Sequence, residues 1–324
     1  MLFKKSIPQL IAEANENGEH TLKRTLSSSG LIALGVGAII GAGLFSLTGI
    51  AAAENAGPAV ILSFIIAAVG CGFAGLCYAE FASMIPVAGS AYTYSYATMG
   101  EFVAWIIGWD LVLEYALAGA TVAVSWSQYF NQLLMIFHIQ LPDTLLKGPW
   151  EGGVVNLPAI VIVCLLSLLL MRGTQESSRV NNILVILKVG VVLIFIALGW
   201  SFINPANHNP FIPTNAGEEL VKSGQQSFWS FLKSDDFGHF GISGVLRAAG
   251  VVFFAFIGFD AVSTAAQEAK NPKKGMPIGI IGSLIICTLL YVLFSYVMTG
   301  IENYTMFKGD AKPVATAFAK TGYH

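Results

Sequence analysis

Charge is what this sequence has least of. Lys, Arg, Asp and Glu together make up 11% of its 324 residues, while hydrophobic residues reach 55%. A soluble domain carries about 25% charged residues, so a water-facing globule is excluded and a membrane protein is indicated. The formal net charge is −2, which leaves no basic footprint for nucleic acid. Cysteine is scarce too. Cys71, Cys77, Cys164 and Cys287 all fall inside apolar runs without metal-ligand spacing, and the Cys71–Cys77 separation fits neither a CxxC motif nor a disulfide. They read as small apolar packing residues. His20, His138, His208, His239 and His324 fall in tails or loops and form no HExxH pair. No Walker A motif is present, so nothing points to ATP. No ring of charges suited to a channel pore is seen either.

Residues 1–27 do not read as a signal peptide, which would set a short apolar core close behind its first basic residues. Lys4, Lys5, Glu13, Glu16, Glu19, Lys23 and Arg24 crowd there instead. We read 1–28 as a cytoplasmic tail with a short amphipathic helix on the membrane surface.

What the sequence does have is long apolar runs. Seven are long enough to span, near 29–53, 57–84, 101–137, 155–171, 180–201, 241–267 and 278–300, at about 20 residues per crossing. The third is long enough to tilt or to run on beyond the bilayer. Lysine and arginine placement sets the expected orientation. With the N-terminus inside, the cytoplasmic pieces hold the tail cations, Arg172, Arg179, Lys270, Lys273 and Lys274. The outside pieces hold Lys147, Lys222 and Lys233, then Lys308, Lys312 and Lys320. On that reading helices 1–5 fill 29–201, an extracellular loop fills 202–240, helices 6 and 7 fill 241–300, and 301–324 lies outside again.

Two of the seven runs carry break signals. Gly35-Val36-Gly37-Ala38-Ile39-Ile40-Gly41-Ala42-Gly43 puts four glycines into nine residues of the first. Each is a weak helix former, and backbone unwound in lipid must be satisfied by protein, water or ligand. The alternative is a close-packing face of small residues. The sixth run reads Phe253-Phe254-Ala255-Phe256-Ile257-Gly258-Phe259-Asp260, with a glycine and then an aspartate inside an apolar helix. An acid there is costly unless it is used. The two broken runs lie five spans apart. Interrupted helices at corresponding positions of two repeats are the sequence pointer to a transporter's binding site.

The glycine run GVGAIIGAGLF resembles the amino acid–polyamine–organocation superfamily. So do Tyr78–Pro86 with Gly89-Ser90-Ala91-Tyr92, then Gly108-Trp109 with Leu113-Glu114-Tyr115. Phe253–Asp260 followed by Glu268-Ala269-Lys270-Asn271-Pro272 and Pro277-Ile278-Gly279-Ile280 completes the series. The combination looks most like the cationic amino acid transporter branch, including its bacterial members. The resemblance implies an all-α integral membrane protein with the LeuT-like inverted-repeat transporter fold. Helices 1 and 6 are then discontinuous, and amino acids cross by alternating access. Such transporters have twelve or more helices. The chain therefore reads as a partial copy, stopping after helix 7 in a predicted loop.

An amino acid presents a carboxylate and an ammonium close together. A half-helix N-terminus suits the carboxylate, a role assigned to the N–H groups of Gly41, Ala42 and Gly43. Unwound carbonyls suit the ammonium, a pure donor. That role goes to Ile39 in helix 1 and to Phe254, Ala255 and Ile257 in helix 6. Phe254 is also the candidate gate. Lys188 lies in Leu187-Lys188-Val189-Gly190, where an ammonium is expensive. It matches a lysine that stands in some relatives where others bind sodium, and the resemblance assigns it to proton coupling. Glu114 and Asp260 match acidic positions of the branch and join Lys188 in that network. Snorkelling to the interface is the alternative for Lys188. The expectation is a permease, not an enzyme, without cofactor or metal. It sits in the lipid bilayer of the cell membrane and is driven by a proton gradient. The branch name suggests cationic substrates, yet no acidic side chain is placed to read one, which favours neutral or broad specificity. An exchanger without net proton coupling and a non-transporting subunit or sensor stand as alternatives.

Overall fold

The computed structural model describes residues 6–14, 24–171 and 174–322. Lys4, Lys5, Lys23 and Arg172, used above for orientation, lie outside them. Among the described residues every regular element is helical, apart from one isolated parallel pairing of Leu26 with Ala269. Helices occupy all seven apolar segments. Five stretches are long and apolar enough to cross a membrane by themselves, and Ser28–Ile39 and Leu157–Met171 are shorter.

A short helix α1 (Ile7–Ala14) comes first, and the first apolar segment then breaks where its glycines sit. Helix α2 (Ser28–Ile39) starts at Ser27, whose hydroxyl accepts the Gly30 N–H at 3.2 Å, a standard N-cap. It stops at Ile40, whose ψ of 112° is extended. The chain resumes as a π turn at Gly43–Leu47, α3 (Thr48–Ala51) and a second π turn at Ala52–Ala56. At Gly57, with φ 61° and ψ −146°, helix geometry is lost again, and α4 (Val60–Met84) follows a single 3-10 turn later. Then come α5 (Ser90–Thr98), α6 (Glu101–Ile136), α7 (Leu157–Met171) and α8 (Thr174–Gly199). The 202–240 loop carries α9 (Ala216–Lys222) and α10 (Phe228–Leu232).

The sixth segment is also interrupted. Helix α11 (Gly241–Phe253) gives way to a 3-10 turn at Phe254–Phe256 and non-helical turn at 257–260. A short α12 (Ala261–Thr264) and a last 3-10 turn complete it. Helix α13 (Pro272–Ile301) and α14 (Pro313–Ala319) end the described fold. Apolar periodicity placed the crossings but not the ends. Helix α13 begins six residues before the apolar run, with Pro272 in its first turn, where a missing N–H costs nothing. Helix α8 likewise starts in polar sequence at Thr174.

The chain divides into two compact units. Unit one is 1–40, 68–119 and 256–287; unit two is 41–67, 120–255 and 288–324. In hydrocarbon, burying Leu against Leu gains nothing, so close packing through small residues holds helices together. In unit one, Gly35 faces Ser283 and Val262, and Gly75 faces Leu284 and Ile280, both with no room for a Cβ. Phe81 stacks on Tyr94 at 5.2 Å, and Tyr78 meets Phe259 edge-on at 5.5 Å. The Glu80 side chain is exposed, and the stacked Phe81–Tyr94 pair links α4 to α5. In unit two, Phe195 packs on Phe294 at 4.5 Å, Phe64 on Tyr291 at 5.4 Å, and Ser63 Oγ donates to the Val245 carbonyl at 2.8 Å. Within the most apolar window of Gly241–Glu268, 56% of residues are buried, against 6% for α6. The broken sixth segment is thus a core element, while α6 presents Trp105, Trp109, Leu113 and Leu117 outward.

Candidate functional site

In unit two the break of helix 1 lies directly against the break of helix 6. A Cβ added at Gly43 would overlap the Ala255 backbone, so only glycine lets the two approach. The turn is closed by Leu44 and Phe45, whose N–H groups both donate to the Gly41 carbonyl, at 3.1 and 3.3 Å. The N–H groups of Gly41, Ala42 and Gly43 therefore head this half-helix, the position where backbone donors have no partner within the helix. Gly41 has open space around it, with only Val122 nearby at 3.8 Å from an added Cβ. The Ala255 carbonyl accepts the Tyr291 hydroxyl at 2.9 Å. A carbonyl has two lone pairs, and the Tyr291 hydroxyl uses one of them. Phe254 is half-buried and Ala255 is 1% exposed.

Hydroxyls brace the same turn. Thr48 Oγ1 donates to the Leu44 carbonyl at 2.7 Å, Tyr129 donates to the Phe45 carbonyl at 2.6 Å, and Ser46 meets Ser125 at 2.6 Å. The Thr48 and Tyr129 hydroxyls thus bond carbonyls of the π turn, while the Ser46–Ser125 pair ties it to α6. Lys188 lies half-buried on α8 within the Asn182–Phe202 span of this unit.

Unit one holds the other parts of both breaks. Ile39 ends α2, 3% exposed, and Ile257 lies in the helix 6 turn. Gly258 has φ 104°, and an added Cβ would press on the Ala38 carbonyl oxygen at 2.9 Å. Here too the helix 6 break touches the helix 1 break through a glycine. Two residues on, Asp260 is 4% exposed. Its Oδ2 accepts the Tyr115 hydroxyl at 2.6 Å and the Ser90 hydroxyl at 3.3 Å. One carboxylate thereby joins α6, α5 and the helix 6 break. Glu114, next to Tyr115, is half-buried and within Coulombic range of Asp260. Tyr94 Oη and Ser263 Oγ are buried nearby and interact with each other.

The sequence named Gly41, Ala42, Gly43, Phe254 and Ala255, which unit two brings together, and Ile39, Ile257, Glu114 and Asp260, which belong to unit one. It did not name Tyr115, Ser90 or Tyr291 as partners. Tyr115 and Ser90 stood inside the quoted motifs, but their pairing with Asp260 spans 145 and 170 residues of sequence, beyond any local pattern.

A multi-pass helical membrane chain whose two broken helices meet at their breaks has the architecture of a secondary transporter. The chain belongs to the amino acid permease family, whose sequence profile matches residues 26–323. It is 48% identical to the branched-chain amino acid permease BcaP of Bacillus subtilis over 98% of this chain and 63% of the relative. It is 43% identical to the methylthioribose transporter of Bacillus subtilis over 97% of this chain and 63% of that protein. Identity to cationic amino acid transporter 1 of Arabidopsis thaliana is 35%, over 97% of this chain and 48% of the relative. The chain thus spans less than two thirds of the length of the relatives it matches.

Proposed function

We propose that this chain builds the substrate-binding core of an amino acid transporter that works by alternating access. The observation that carries the reading is the apposition of the two breaks at Gly43 and Ala255. The substrate carboxylate sits on the N–H groups of Gly41, Ala42 and Gly43, at the positive end of a half-helix. The ammonium takes the carbonyls of Phe254 and Ala255, which lie in the same unit. The side chain falls among apolar residues such as Phe254, which suits a neutral branched-chain amino acid, and the resemblance to a branched-chain permease supports that class. The N-terminus is cytoplasmic and the membrane is the cell membrane. Transport is coupled to protons through Lys188, with Glu114 and Asp260 as acidic partners in the cycle.

Uptake into proteoliposomes tests this. The proteins are the chain and a chimera that continues it with the part of the Bacillus subtilis branched-chain permease lying outside the match. Radiolabelled leucine, lysine and methylthioribose are offered under an inward proton gradient. Saturable leucine uptake that a protonophore collapses is the expected result. Gradient-driven uptake of methylthioribose alone would favour a second reading, a sulfur-sugar transporter, which the 43% identical relative makes specific.

A further inference from the structure

The 202–240 loop ends in a set of hydrogen bonds that grips both broken helices within unit two. Asn55 lies in the π turn Ala52–Ala56 that ends the second half of helix 1, and it is 5% exposed. Its Nδ2 donates to the Gly238 carbonyl at 2.8 Å, and its own carbonyl accepts the Phe240 N–H at 2.7 Å. Phe240 has φ 63°, a conformation that L side chains avoid, so the bond to Asn55 fixes an otherwise unfavourable turn. Gly244, one turn into α11, packs on the Asn55 carbonyl so closely that an added Cβ would overlap it.

Glu218 on α9 holds the same helix start from the loop side. One oxygen accepts the Ser243 N–H at 2.6 Å and the other the Ile242 N–H at 3.2 Å. These are N–H groups of the first turn, with no partner inside the helix, and the carboxylate meets the positive end of the helix dipole. Asn215 in turn fixes Glu218. Its Oδ1 accepts the Glu218 N–H at 3.0 Å, while Nδ2 donates to the Asp236 and His239 carbonyls at 2.7 and 2.6 Å. Arg247 points the same way, donating to the Phe237 carbonyl at 3.2 Å rather than to an acid.

The clasp lies one helical rod away from the breaks. Asn55 follows Gly43 by 12 residues and Ile242 precedes Ala255 by 13, roughly 18–20 Å at 1.5 Å per residue. Helical backbone fills both intervals. The two rods touch at the far end, where Gly43 meets Ala255. Fixed at both ends, they keep their register.

We propose that Asn55 and Glu218 are positioning residues. They join the second half of helix 1 and the first half of helix 6 into one rigid pair, so that the N–H groups of Gly41–Gly43 and the carbonyls of Phe254 and Ala255 address the same ligand. The proposal rests on the transport reading above. Neither residue touches substrate; each sets the affinity of groups that do.

The test uses Asn55→Ala, Glu218→Gln and the double variant in the chimera, read in two ways. In leucine uptake each single variant raises KM about tenfold, the scale of one lost hydrogen bond to a charged or buried group, with the maximal rate little changed. The double variant is no worse than the stronger single, because both act through one clasp. Hydrogen–deuterium exchange supplies a readout that does not need transport. Glu218→Gln speeds exchange in 241–247 and also in 43–56, although Glu218 bonds only the first of these. Unchanged KM, multiplicative effects, or faster exchange confined to 241–247 would each overturn the proposal. If Glu218→Gln fails to fold, Glu218→Asp keeps the charge but shortens the reach and takes the same two readouts. If the parent protein moves no leucine, the transport reading fails while the exchange experiment still decides the clasp.

Discussion

Gly43 is the residue on which the site turns. Its lack of a side chain lets helix 1 lie against the Ala255 backbone, and no rotamer change relieves a clash with main chain. Gly43→Ala should lower the thermal midpoint, at a cost of about 1–3 kcal/mol for overpacking, and should remove leucine uptake; differential scanning fluorimetry and uptake check the two parts. Asp260 makes a second prediction at this scale. Buried at 4% exposure, it depends on the Tyr115 and Ser90 hydroxyls. Tyr115→Phe removes the shorter bond and should destabilise the protein by about 1–3 kcal/mol, the cost of an under-bonded buried polar group, whereas Asp260→Asn with Tyr115 intact should cost less. Thermal midpoints of the two variants in detergent decide the order. Gly43 was legible because glycine clustering in an apolar run is a local signal. The Tyr115–Asp260 bond was not, because a tyrosine in a membrane helix is ordinary until its partner is known.

The elements were legible to the extent that hydropathy describes them. Each of the seven apolar runs became helix, and the two interruptions fell where glycines and Asp260 stood. The polar starts of α8 and α13 were missed because hydropathy marks what lipid accepts, while helix ends follow capping and proline. The loop helices α9 and α10 were missed for the opposite reason: they are too short to show a period. That loop carries the pH prediction. Burial alone would raise the Glu218 carboxyl, but the Ser243 and Ile242 N–H groups and the Lys222 ammonium outweigh it and hold it below the usual 4.5. A depressed folded value means the contribution is complete above pH 4.5 and is lost as pH falls through the folded value. The midpoint difference between wild type and Glu218→Gln should therefore stay constant from neutral pH down to about 4.5 and shrink below it. His208 titrates in a milder range. Burial beside Tyr296 and Thr299 lowers it from 6.5, so its contribution is present above 6.5 and fades as pH falls. His208→Gln should flatten that part of the stability curve.

For the molecule as a whole, sequence pattern and structure agree on two broken helices, and the chain, a member of the amino acid permease family, covers 63% of its 48% identical branched-chain relative. Coupling belongs to this scale, because a gradient acts on the whole cycle. With Lys188 as the proton-linked cation on α8, Lys188→Ala should abolish leucine accumulation against its gradient while leucine counterflow persists; paired accumulation and counterflow assays check it. The central claim is simpler than coupling. In the proposed reading, backbone groups at Gly41–Gly43 read the carboxylate, and carbonyls at the helix 6 break read the ammonium. The direct measurement is competition against radiolabelled leucine uptake in the chimera by unlabelled leucine, by leucinol, which lacks the carboxylate, and by 4-methylpentanoate, which lacks the ammonium. The account predicts that both analogues compete at least about 100-fold more weakly than leucine, as expected of a site whose polar groups are left unpaired. Equal competition by either analogue would contradict it.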